Sequence, residues 1–160
     1  MPEFDHNKNQ FVIGIDFGQK RIGLAIGQTL TQIANPLTTV NNDGAFWQKL
    51  NKQINEWQVT AIVIGLPLDM AGEEQEITRQ VKNFSKKVKH KTQLPIHLVD
   101  ERLSSYAAER QFQNSRQAKL SKAKDKSQID AIAAQIILQS WFDQKRLGQQ
   151  GLDQQDQHKI

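Results

Sequence analysis

Four acidic residues carry the most chemistry in this chain, and position marks them out more than type. Asp16 closes the apolar run "FVIGID" (11–16), Asp100 and Glu101 close "PIHLVDE" (95–101), and Asp130 opens "SQIDAIAAQIIL" (127–138). A carboxylate at the end of a buried strand is costly unless a positive partner or water meets it. In an open sheet, sites form beyond the carboxyl ends of the strands. Two or three carboxylates gathered there repel one another unless a hard cation joins them. An oxygen-only ligand set in a chain with no cysteine suits Mg²⁺ or Mn²⁺.

Each acid also has a plainer reading. Asp16 has Lys20 and Arg21 within reach across the turn "GQKR" (18–21), and Asp100 and Glu101 have Arg102 beside them as partner for a solvated strand end. Asp130 stands three residues after Ser127, the spacing of a capping box. Against that last reading, Asp130 shares a helix face with Ala133, Ala134 and Ile137, whose small and apolar side chains permit close packing onto a sheet. Strand alternation sends Asp100 and Glu101 to opposite faces, so only one of them is placed to meet Asp16.

Other chemistries find less support. The four histidines, at 6, 90, 97 and 158, lack metal-ligand spacing, and His97 reads as an ordinary strand residue. Cysteine chemistry is excluded, and no G-x-S-x-G elbow is present. Gly18 and Gly23 have the spacing of a phosphate loop, but Leu24 and Ala25 stand where Lys and Ser/Thr are needed.

The elements that must hold these acids follow from apolar periodicity. Strands are expected over 11–17, 22–28 and 34–40. A helix capped by Asp43 places Phe46, Trp47, Leu50, Ile54 and Trp57 on one stripe, and "TAIVIGLPL" (60–68) reads as a central strand covered on both faces. A second helix starts near Glu73 with Ile77, Val81, Phe84 and Val88 inward, acids first and lysines last, as the helix dipole favours. A strand over 95–102, a short helix over 104–112 and a basic loop over 113–126 come next. The last helix, 127–143, has Ile129, Ile132, Ala133, Ile136, Ile137 and Trp141 on one side. The order implies an α/β protein with a mixed sheet flanked by helices. Residues 1–10 read as a flexible arm, 11–143 as the single domain, and the Gln-rich 144–160 as a disordered tail with little to bury.

With 160 residues, 38% hydrophobic and 24% charged, the chain is long enough for one well-buried core. The segment "MPEFDHNKNQ" (1–10) lacks the apolar core of a signal peptide, and "AIVIGLPL" (61–68) is too short to span a bilayer. A cytoplasmic protein without membrane contact is expected. The net charge of +4 is unevenly spread: "RQVKNFSKKVKHK" (79–91) carries no acid, and "RQFQNSRQAKLSKAKDK" (110–126) carries a single Asp. Such clusters suit a polyanion, although a solvated helix face looks the same in sequence.

Four segments together, "GIDFGQKRIGLAIG" (14–27), "IVIGLPLDMAGEEQ" (62–75), "LVDERLSS" (98–105) and "DKSQIDAIAAQIIL" (125–138), resemble the YqgF (RuvX) family. These are pre-16S rRNA nucleases with an RNase H-like fold, related to Holliday junction resolvases. The resemblance implies three antiparallel strands followed by parallel ones. It assigns catalysis and metal binding to Asp16, Glu101 and Asp130, with Asp100 as a further metal ligand, and implies Mg²⁺ or Mn²⁺ as cofactor. It also implies phosphodiester hydrolysis in maturation of the 5′ end of 16S rRNA, with a pre-16S rRNA or pre-ribosomal particle as partner.

Lys20, Arg21, Arg102, Lys82, Lys86, Lys89, Arg116, Lys119 and Lys122 are then the expected phosphate contacts, holding the backbone without reading bases. Three alternatives stay open: a resolvase acting on branched DNA, a non-catalytic RNA-binding assembly factor, and an ATP-dependent enzyme of the actin and sugar-kinase superfamily, for which the chain is short. Monomer and homodimer are both compatible. The chain departs from the family loop at Asp69, where Asn is usual, and at Ala71, where Asp is usual.

Overall fold

A computed structural model of the chain describes residues 9–101 and 126–157. The short helix and basic loop expected between 104 and 126, and with them Arg102, Arg116, Lys119 and Lys122, lie outside the described residues, as do residues 1–8 of the arm.

Five strands, β1 (Phe11–Asp16), β2 (Arg21–Gln28), β3 (Ile33–Asn41), β4 (Val59–Leu66) and β5 (Ile96–Asp100), form one sheet in the order β3-β2-β1-β4-β5. The pairs β1–β2 and β2–β3 are antiparallel, whereas β4 lies parallel to β1 and β5 parallel to β4. The expected mixed sheet is therefore present. Helices α1 (Phe46–Trp57) and α2 (Glu76–Thr92) cover one face, and α3 (Lys126–Gln157) crosses the other.

Alternation along the strands sorts the side chains. Ile13 and Ile15 of β1, Ile22, Leu24 and Ile26 of β2, and Ile62 and Ile64 of β4 pack with Phe46, Leu50, Val81, Phe84 and Val88 of α1 and α2. On the opposite face, Val12, Ala25, Ala61, Val63 and Val99 meet Ala134, Ile137, Leu138, Trp141 and Phe142 of α3. Asp16, which follows Val12 and Gly14 at the same period, therefore lies on the α3 face.

Local chemistry moves several boundaries from where periodicity places them. Asp43 does not cap α1. Its carboxylate accepts the Ala45 N–H at 2.9 Å and its carbonyl accepts that of Phe46, so it builds the turn before the helix. Strand β4 stops at Leu66, before Pro67 removes a ladder donor. Helix α2 starts at Glu76, because the Glu73 N–H is already donated to Asp69 Oδ1 at 2.7 Å and Gln75 and Thr78 form the capping box. Asp69 Oδ1 also accepts the Ala71 N–H at 2.9 Å, a task the Oδ1 of the family's usual Asn performs equally well.

Two expectations for the last helix are corrected. The buried stripe is Ala131, Ala134, Ile137, Leu138, Trp141 and Phe142, while Ile129 is 39% exposed and Ile132, Ala133 and Ile136 are half-buried. The segment 144–157, expected as a disordered tail, continues α3 to Gln157. Helix extent here follows from good helix formers such as Gln, Lys and Arg, helped by Arg146 donating to Asp143 at 2.7 Å, and does not require apolar periodicity.

Candidate active site

Glycines let α3 come down onto the sheet. A Cβ on Gly23 would lie 1.9 Å from the backbone oxygen of Asp130. One on Gly14 would lie 2.9 Å from that of Ala134 and 2.7 Å from Leu138 Cβ, and one on Gly27 2.5 Å from the Phe142 ring. Asp130, Ala134, Leu138 and Phe142 recur every four residues, so a single ridge of α3 sits in a groove of missing side chains. Gly23 is the register partner of Asp16 across β1–β2. The close approach that Gly23 permits therefore brings the start of α3, and Asp130 with it, to the end of β1.

Glu101 reaches the same place from the other side. His97 and Val99 face α3, His97 with its ring 5.1 Å from that of Trp141, and Glu101 continues their alternation. Its N–H donates to the Leu66 carbonyl at 3.1 Å, which fixes the backbone just past β5. Its Oε1 lies 2.6 Å from where a Cβ on Gly65 would stand, so the carboxylate rests over β4, the strand between β5 and β1. Asp100 has the opposite alternation. Of the two neighbouring acids, Glu101 is the one that faces Asp16, and the conflict noted in the sequence is resolved in its favour.

The three acids also act on one another electrostatically. Burial first, then the charges of Glu101 and Asp130, push the Asp16 carboxyl up to about 7. Burial, with Asp100 second, also raises Glu101. In both cases burial is the larger cause and neighbouring negative charge adds to it.

The plainer pairing of Asp16 with Lys20 or Arg21 is not what the structure contains. Among the described residues no cation pairs with Asp16, and Arg21 Nε donates to Asp130 Oδ2 at 2.9 Å. Lys20 is exposed in the β1–β2 turn, whose carbonyls at Gly18 and Lys20 are held by Asn42. Of the expected phosphate contacts on α2, Lys86 and Lys89 are exposed, whereas Lys82 is engaged with Glu74.

The donor set fits a hard divalent cation. It is all carboxylate oxygen, and at Asp16, pushed up to about 7, an arriving cation would favour the ionised form. Among the described residues no three acids are already closed around a metal position. What sequence reasoning missed were the glycine floor and the Arg21–Asp130 bond. Gly14 and Gly23 stand in plain view around Asp16, but only the ridge spacing of α3 reveals what they accommodate.

A mixed sheet in this order, with carboxylates from the ends of β1 and β5 and from the helix behind them, defines an RNase H-like protein. Two solved structures share that fold at 14% identity. One is Thermus thermophilus RuvC in complex with Holliday junction substrate, with a TM-score of 0.54 over 86% of this chain and 96% of that one. The other is Thermus thermophilus RuvC, at 0.53 over 87% and 97%.

The chain belongs to the RuvX family, described as Holliday junction resolvase, which matches residues 10–144. Relatives named "Putative pre-16S rRNA nuclease" include those of Methylobacillus flagellatus, 43% identical over 89% of this chain and 97% of that one, and Hydrogenovibrio crunogenus, 41% identical over 82% and 92%. A third, from Yersinia enterocolitica, is 41% identical over 86% and 97%. Among the described residues no helix is long and apolar enough to cross a membrane.

Proposed function

We propose that this chain is a metal-dependent nuclease that hydrolyses a phosphodiester bond of the 16S rRNA precursor at its 5′ side. The observation that carries the reading is the convergence of Asp16, Glu101 and Asp130 on one end of the α3 face, with Asp16 held up at about 7 by burial and by the other two. Acids brought together at a buried strand end, with a raised pKa, are the mark of a functional-site candidate. The names of the full-length relatives support RNA as the substrate.

Asp16, Glu101 and Asp130 would hold the cation, while Asp100, of opposite alternation, would act on the site through its charge beside Glu101. Bound there, Mg²⁺ or Mn²⁺ supplies positive charge to the scissile phosphate and lowers the pKa of an attacking water. The chain's own residues do the rest. Asp16 presents a carboxylate fixed by the last β1 pairing, and Glu101 is fixed by its backbone bond to Leu66. Lys20 stands exposed in the adjoining turn, where a neighbouring phosphate would pass.

Lys86 and Lys89 of α2, with Arg102, Arg116, Lys119 and Lys122, supply further phosphate contacts. Such contacts position the strand and carry no base specificity. A cytoplasmic site of action accords with this substrate.

The test is substrate choice. Purified protein is given, in Mg²⁺ or Mn²⁺, either a precursor fragment carrying the 5′ leader of 16S rRNA or a four-way DNA junction. Faster cleavage of the RNA is expected. Cleavage of the junction alone would make the protein a resolvase, and tight RNA binding without cleavage in either metal would make it an assembly factor.

A further inference from the structure

Arg21 stands in the sequence as one more basic residue after Asp16, and its place in the fold assigns it a different task. On β2 it alternates with Gly23, Ala25 and Gly27, so it lies on the α3 face, one step beyond the glycine that touches the Asp130 backbone. Its position is fixed from behind. Asn42 Nδ2 donates to the Gly18 carbonyl at 2.9 Å and the Asn42 N–H to the Lys20 carbonyl at 2.9 Å, while Arg21 itself pairs with Asn41 of β3.

From that anchored backbone the guanidinium Nε reaches Asp130 Oδ2 at 2.9 Å. One carboxylate oxygen is thus tied down, and the ring of contacts around Gly23 fixes the main chain beneath it. The other oxygen, Oδ1, keeps its lone pairs for a second partner. A ligating carboxylate held by an outer hydrogen bond is a common means of orienting a metal site.

We infer that Arg21 is a positioning residue for Asp130: its Nε–Oδ2 bond sets the carboxylate so that the remaining oxygen faces the cation shared with Asp16 and Glu101. This rests on the reading of those three acids as metal ligands. The role differs from a phosphate contact, because it acts through Asp130 and is exerted before any nucleic acid binds. Lysine is a poor substitute, since a flexible ammonium lacks the guanidinium's fixed planar geometry.

The experiment is a double-mutant cycle read by calorimetric titration of the full chain with Mn²⁺ alone. The proteins are wild type, Arg21→Gln, Asp130→Asn and the double variant, with Arg21→Lys and Asp16→Asn alongside. Arg21→Gln is expected to weaken Mn²⁺ binding by about 10- to 100-fold. In the Asp130→Asn background the same change is expected to have little effect, and Arg21→Lys should recover part of the loss. A single cooperative melting transition in every variant excludes a general loss of fold.

In cleavage assays at saturating Mn²⁺ the Arg21→Gln deficit should shrink, while RNA affinity measured in EDTA stays at the wild-type value. Mn²⁺ affinity equal in wild type and Arg21→Gln overturns the inference and leaves the metal site standing. An equal loss with and without Asp130 also overturns it, as does weakened RNA binding in EDTA with Mn²⁺ affinity intact. Wild type that binds no Mn²⁺, or Asp16→Asn that binds it as well as wild type, overturns the metal-site reading and this inference with it.

Discussion

The two faces of the sheet solve different problems with different side chains. Against α1 and α2 the sheet presents mainly isoleucines, and Phe46, Phe84 and Trp47 pack into a thick aromatic cluster, with the Phe46 and Phe84 rings 5.6 Å apart. Against α3 it presents glycine, alanine and valine, and the helix backbone itself reaches the strands at Gly14 and Gly23. Bulk on the first face buries apolar area and holds the domain together. Smallness on the second gives up some of that area so that a helix can deliver an acid to a strand end. Stability and chemistry are thus divided between opposite sides of one layer.

Substitutions that add or remove bulk should separate the faces. Gly23→Ala is the most damaging change expected, because its new Cβ would stand 1.9 Å from the Asp130 carbonyl and no flexible side chain is there to yield. It should remove about 3 kcal/mol or more of stability by overpacking and abolish cleavage by displacing Asp130, as chemical denaturation and a cleavage assay would report. Ile64→Ala, on a fully buried side chain of the other face, should cost about 2–5 kcal/mol, yet leave kcat near wild type at a temperature where the protein remains folded. A comparable loss of kcat in Ile64→Ala would mean the faces are not independent.

Acidity sharpens the same contrast. Asp16 titrates near 3.8 when unfolded and at about 7 in the fold, so between those values the folded chain holds a proton that the unfolded chain has lost. Stability in EDTA should therefore fall as pH rises from about 4 to about 7, the reverse of the usual effect of a salt-bridged carboxylate. Asp16→Asn should flatten that slope, whereas Ile64→Ala should shift the whole curve and keep its shape. Urea midpoints across this pH range would distinguish the two.

The smallest effect belongs to the surface. Lys86→Ala should change stability by no more than about 0.5 kcal/mol and lower the slope of log affinity for RNA against log salt by about 1. Lys82→Ala, whose cation already faces Glu74, should change that slope less.

Much of this was legible in the sequence because it depends on local pattern. Period-two alternation placed Asp16 with Val12 and Gly14, and the same rule required that either Asp100 or Glu101, not both, face it. The carboxylates stood out because a charge terminating an apolar run needs a reason. What stayed hidden depends on distant pairs. Arg21 and Asp130 are 109 residues apart and leave no local trace of their bond. The buried stripe of α3 was misjudged because its isoleucines attract attention, while the glycine groove that selects the Asp130, Ala134, Leu138, Phe142 ridge lies on other strands. The extension to Gln157 was missed because apolar periodicity reports packing, and helix can continue without it.

The central claim is that Asp16, Glu101 and Asp130 form one metal-dependent hydrolytic site, and cleavage of a 16S precursor fragment by wild type, Asp16→Asn and Glu101→Gln, each in Mn²⁺ and in EDTA, tests it most directly. The account predicts cutting by wild type in Mn²⁺ alone, with both variants inactive although they still bind the RNA. Cutting that persists in EDTA, or in Asp16→Asn at the wild-type rate, would contradict it.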